Sequence, residues 1–81
     1  MLPSECLKAI SKLSQQNELT GNMAGNLKRL KSAISEELKM TNRATEIEPI
    51  LREIDQNEQN IIQHIQYALG EGKDKVDRYF R

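Results

Sequence analysis

The chain has 81 residues, 30% of them charged and 37% hydrophobic, with twelve cations balancing twelve anions. That length allows one domain, the charge balance argues against wrapping nucleic acid or coating an anionic membrane, and no apolar run approaches the ~20 residues of a membrane span. One cysteine excludes an internal disulfide, and three aromatics (Tyr67, Tyr79, Phe80) leave little bulk for a large core.

Pro3-Ser4 opens a short helix, expected over 4–16, with Ser4 as N-cap. Cys6, Leu7, Ile10 and Leu13 recur along one face at three- and four-residue spacing. The first thirteen residues lack the charged-then-apolar layout of a signal peptide, and Glu5 without any Arg suits a mitochondrial presequence poorly. The expected location is cytoplasmic, with organelle membranes reached peripherally through partners. The apolar pattern fades across Ser14-Gln15-Gln16-Asn17.

A heptad register then begins. With d at Leu19 and a at Met23, the a/d series reads Leu19, Met23, Asn26, Leu30, Ala33, Glu37, Met40, Ala44, Ile47, Leu51, Ile54, Glu58, Ile61, Ile65, Ala68. Twelve of these fifteen positions are apolar, where the composition alone would place five or six. A 3.5-residue repeat of that length predicts helices wound on partner helices. The fold expected is all-α: one long, kinked coiled-coil helix over about 19–69, a short N-terminal helix, and a C-terminal helical tail over 74–81 carrying Val76, Tyr79 and Phe80. A helical hairpin is the alternative.

Two weak points interrupt this helix. Over 20–26, Gly21, Gly25, Asn22 and Asn26 weaken it by roughly 2–3 kcal/mol relative to alanine. Either a new helix starts there, capped by Asn17 or Thr20, or Gly21 and Gly25 admit a neighbouring backbone; a continuous helix is favoured. Asn26 at d would fix register between partner helices. Over 41–49, Thr45-Glu46-Ile47-Glu48 is a capping box and Pro49 follows it, yet the heptad phase continues unbroken. A kinked helix is favoured over a hairpin. The stretch Ile47 to Leu69 is the best-specified helix, with Gly70 placed to end it in the left-handed conformation.

Apolar residues also flank the seam, Leu27, Ile34, Ile62 and Leu69 at e and Ile50 at g. The widened stripe predicts three or four helices rather than two. The expected partner interface comprises Leu19, Met23, Leu27, Leu30, Ile34, Met40, Ile47, Leu51, Ile54, Ile61, Ile62, Ile65 and Leu69. Glu37 and Glu58 at a would set like charges face to face in a homo-oligomer, which favours unlike partner chains while leaving a homo-oligomer open.

The segment Glu46-Ile47-Glu48-Pro49-Ile50-Leu51-Arg52-Glu53-Ile54, followed by Ile61, Ile62 and Ile65, resembles small coiled-coil subunits of the lysosome-related-organelle biogenesis complex, of the snapin-like type. Those subunits set an apolar-x-Pro-aromatic-apolar segment between two heptad stretches. Pro49 matches that frame, and Ile50 stands where the aromatic is usual. Asn22-Met23-Ala24 and Val76-Asp77-Arg78-Tyr79 look like further fragments, with shifted spacing. Leu19-Thr20-Gly21-Asn22-Met23 is similar to the N-terminal coiled coil of an exocyst subunit. Both resemblances imply a non-enzymatic scaffold in vesicle or lysosome traffic, and neither carries over a catalytic residue.

Chemistry is sparse in this sequence. His64 is the only histidine, at g beside the seam, with no second ligand at metal spacing. Cys6 lacks a base on its own helix turn and suits a small core position. No catalytic residue, cofactor or metal is expected. The basic run Lys28-Arg29-Leu30-Lys31 reads as a solvated flank, so nucleic acid is not a favoured partner; a homodimeric regulatory protein contacting nucleic acid through those cations is the competing function.

Overall fold

The computed structural model describes residues 2–71, so the expected tail at 74–81 lies outside the described residues. Helix α1 spans Ser4–Gln15 and α2 spans Met23–Met40. A 3₁₀ turn at Ala44–Glu46 leads into α3, Ile47–Gln56, and α4, Glu58–Glu71. The described residues are all-α. They do not form one long rod: a continuous helix over 19–69 would extend about 75 Å, whereas the longest dimension is 34 Å. The chain folds back twice, and α1, α2 and the α3–α4 limb pack into a three-limbed bundle in which α1 lies against α2 and α4, and α2 against α3 and α4.

Both reversals use the same device. Asn17 (φ 58°) and Asn42 (φ 63°) occupy the left-handed region just past the ends of α1 and α2. The Glu18 N–H donates to Leu13 O at 2.9 Å and the Asn17 N–H to Ser14 O at 3.1 Å. The second end repeats this, with Arg43 N–H to Leu38 O at 2.7 Å and Asn42 N–H to Lys39 O at 3.2 Å. These paired bonds define a Schellman C-cap, in which asparagine takes the place usual for glycine. The consequence for Asn42→Ala is a sign test. Alanine in the left-handed region costs about 1 kcal/mol here, a loss of roughly 4–8 °C in Tm for a domain this size. In a continuous helix the same substitution would raise Tm, because alanine is the better helix former. Thermal unfolding followed by circular dichroism separates the two.

The helix starts also differ from expectation. Asn22, not Asn17 or Thr20, caps α2, its side chain accepting from the Gly25 N–H at 3.2 Å. No neighbouring backbone approaches Gly21, since a Cβ there would meet nothing within 4 Å. The Thr45 capping box does not form: α3 has Glu46 at its N-cap with no side-chain cap bond, and Glu46 instead accepts from Arg43 at 2.6 and 2.7 Å. Pro49 neither kinks nor breaks a helix. It falls in the first turn of α3, where a missing N–H removes no intrahelical bond. The helix is interrupted later, at Asn57, whose N–H and Nδ2 both reach back to Glu53 O while its own carbonyl accepts from Ile61 N–H. Gly70 stays inside α4 with no left-handed φ, so it does not terminate that helix.

The core comprises Cys6, Ile10, Leu13, Leu19, Leu30, Ile34, Leu38, Ile54, Ile61, Ile65 and Ala68. On the second limb the expected seam positions Ile54, Ile61, Ile65 and Ala68 are buried, Ile47 and Leu51 are half-buried, and Glu58 is exposed. On α2 burial follows Asn26, Leu30, Ile34 and Leu38 at four-residue steps, while the a/d positions Glu37 and Met40 face solvent. A straight helix of 3.6 residues per turn packs its i, i+4 ridge on a neighbour without supercoiling. The long heptad match arises because Ala33, Met40 and Ala44 are apolar residues that the fold leaves partly or wholly exposed.

Asn26, expected at an interchain seam, instead has its side chain engaged within its own chain. Fully buried, it closes a ring with the α1–α2 connection: Thr20 N–H donates to Asn26 Oδ1 at 2.8 Å and Asn26 Nδ2 donates to Thr20 O at 2.6 Å.

Candidate functional site

Cys6 lies fully buried on the inner face of α1. Desolvation, reinforced by the nearby Glu5 and Glu53 carboxylates, pushes its thiol up to about 11, far from the thiolate state a nucleophile needs. A disulfide reagent should therefore modify Cys6 in the native chain at least about a hundredfold more slowly than in urea-unfolded chain; equal rates would show that α1 is not docked. Burial disfavours the charged form of His64 and lowers its pKa from the ordinary histidine value. Among the described residues no group of three or more His, Cys, Asp or Glu side chains is placed to hold a metal ion.

The surface feature of note is a groove of about 770 Å³ running between α1 and α2. Small residues, Ala9 on one bank and Gly25, Ser32 and Ala33 on the other, line it, and charged side chains rim it. At the end where α2 stops, Arg43 Nη2 donates to Glu5 Oε1 at 2.9 Å while its Nε and Nη2 bind Glu46. These bonds hold both carboxyls below their usual range and raise the Arg43 pKa further. Exposed charge clusters of this kind contribute little stability individually, but this one ties α1 to the turn after α2. Among the described residues the groove's other charged side chains, Lys8, Lys12, Glu18, Lys28, Glu36 and Glu37, form no ion pair, and Arg29 makes one long contact, 3.5 Å, to Asn26 Oδ1.

The expected interface residues divide. Leu19, Leu30, Ile34, Ile54, Ile61 and Ile65 are buried in the chain's own core. Met23, Leu27, Ile47 and Leu51 are half-buried against it, as is Ile50. Ile62 is half-exposed, Leu69 is 41% exposed and Met40 82%. Of the thirteen, two line the groove, Ile34 and Met40. Glu37 and Glu58 both face solvent, so the repulsion that favoured unlike partners does not arise within this fold. The basic run does not converge either: Lys31 turns to Asp55 on α3, whereas Lys28 and Arg29 line the groove. Sequence reasoning misses the groove because its small and charged residues read as a solvated flank; only the docking of α1 beside α2 makes them a concave surface.

Comparison with family models, with curated proteins and with solved structures finds no match to this chain. Its class is set by architecture: an all-α bundle of short helices, none of which, among the described residues, is long and apolar enough to cross a membrane.

Proposed function

We propose that the chain is a non-enzymatic interaction module, an assembly subunit whose α1–α2 groove receives a helix from another protein chain. The observation that carries this reading is the groove itself: a helix-length concavity with small residues on its banks, rim charges that form no ion pair among the described residues, and Met40 standing 82% exposed at one end. Small bank residues let a helix axis approach closely, and rim charges set orientation and partner choice. A cytoplasmic trafficking or tethering complex is the setting that the snapin-like and exocyst resemblances imply, and it enters the proposal as that setting.

The test is affinity capture with the full chain, compared with an Ala33→Arg/Met40→Glu variant. Partners are expected to be retained by the parent chain and lost by the variant, with helical circular dichroism unchanged in both. Capture that is indifferent to these two exposed or half-exposed substitutions would overturn the assignment to the groove.

A further inference from the structure

The α2 bank of the groove carries a pattern that names an occupant. Counting outward from the Ser32–Ala33 peptide bond, Arg29 and Glu36 stand at equal distances, and so do Lys28 and Glu37, and Gly25 and Met40. All of them line the groove. Reversing the helix about that midpoint therefore exchanges cations for anions, and the most exposed apolar side chain for a position with no side chain.

We propose that this groove docks a second copy of the chain, the two α2 helices running antiparallel about a two-fold axis beside Ser32 and Ala33. The inference rests on the groove being a helix-docking site and adds the identity of the helix. Within one α2 the charges have no use for one another. Lys28 and Arg29 lie seven to nine residues from Glu36 and Glu37, a rise of about 10–13 Å and beyond ion-pair reach. Their i+4 neighbours, Ser32 and Ala33, carry no charge. Across the two-fold, Lys28 and Arg29 of one copy come level with Glu37 and Glu36 of the other, and the relation holds twice, as an isologous interface requires. Ser32 and Ala33 at the axis let the helices approach. Met40 comes level with the opposing Gly25, where the atoms nearest a Cβ belong to the Arg29 and Asn22 side chains, which would move aside to admit it. On the α1 side Lys8, Lys12 and Glu18 also line the groove, while Glu5 stays engaged by Arg43. A single helix pair buries less than standard interfaces do, so this dimer is weak and governed by charge.

Sedimentation equilibrium of the full chain, from low micromolar to several hundred micromolar, should show the mass rising from 9.3 kDa toward twice that value. The dimer should dissociate more readily when salt rises from about 0.1 M to about 1 M, which shortens the Debye length from ~10 to ~3 Å. Glu36→Lys/Glu37→Lys should weaken self-association at least tenfold, and Lys28→Glu/Arg29→Glu likewise. All four substitutions together should restore it, a rescue that damage to folding would not produce. Ser32→Cys should cross-link two copies under mild oxidation. A monomer at every concentration at low salt, or a charge swap without rescue, overturns the proposal. If such a monomer still captures other proteins through the groove, the docking reading stands and only the second copy falls. Self-association indifferent to the charge variants overturns this placement of the interface.

Discussion

Replacing Leu30 by alanine lowers the unfolding free energy by about 3–5 kcal/mol, measured by urea denaturation with far-ultraviolet circular dichroism. Leu30 has no exposed surface and sits midway along α2, where that helix meets the rest of the core. Removing three carbons there leaves a cavity that the flanking Ile34 and Asn26 cannot fill, since Asn26 is fixed by Thr20. A domain this small has a total stability of only several kcal/mol, so the variant should be substantially unfolded at 25 °C. Met40→Ala is the control. A coiled-coil rod would bury Met40 at d and charge a cost comparable to that of Leu30→Ala; the bundle exposes it, and the expected change is within about 0.5 kcal/mol. Equal costs at the two positions would refute the packing described above.

The second large effect is expected at Asn26. Asn26→Ala should cost about 2–3 kcal/mol, because it strands both the N–H and the carbonyl of Thr20 beneath a partly buried connection. Hydrogen exchange at the Thr20 amide supplies a local readout and should accelerate by more than the global destabilisation explains. Asn26→Asp sharpens the assignment. At neutral pH the introduced carboxylate buries a charge and loses the donor to Thr20 O, whereas its protonated form offers both an acceptor and a donor. Burial raises the folded-state pKa of that carboxyl, so the penalty is present above it and is relieved as pH falls through it. If Asn26→Asp loses rather than regains stability relative to the parent on acidification, over the window above the ordinary carboxylate range, the ring is contradicted.

Helical content, the apolar face of α1 and the buried face of the second limb are legible because amphipathic spacing reports burial directly. Ile54, Ile61 and Ile65 are examples: each is both at a seam position and fully buried. The reversals are not legible for a specific reason. Asn17 and Asn42 sit among good helix formers, and an asparagine in the left-handed region leaves a far weaker mark in sequence than a glycine. Without those breaks, the apolar but exposed Met40 and Ala44 join two unrelated helix faces into one apparent register. Asn26 stands out in the sequence as a polar residue in an apolar stripe, but its partner lies six residues away along the chain rather than on another helix. The groove requires the tertiary placement of α1, which no local pattern encodes.

The one-residue interruption at Asn57 divides the second limb into α3, which packs on α2, and α4, which packs mainly on α1. The α2–α3 contacts join neighbours in sequence. The α1–α4 contacts must instead close a loop of about fifty residues and bear the larger entropy of closure. The α1–α4 seam is therefore expected to close last, after α1 meets its sequence neighbour α2. In refolding experiments, protection of the Cys6 thiol should trail the gain of helix signal, and simultaneous arrival would show that the bundle forms in a single step.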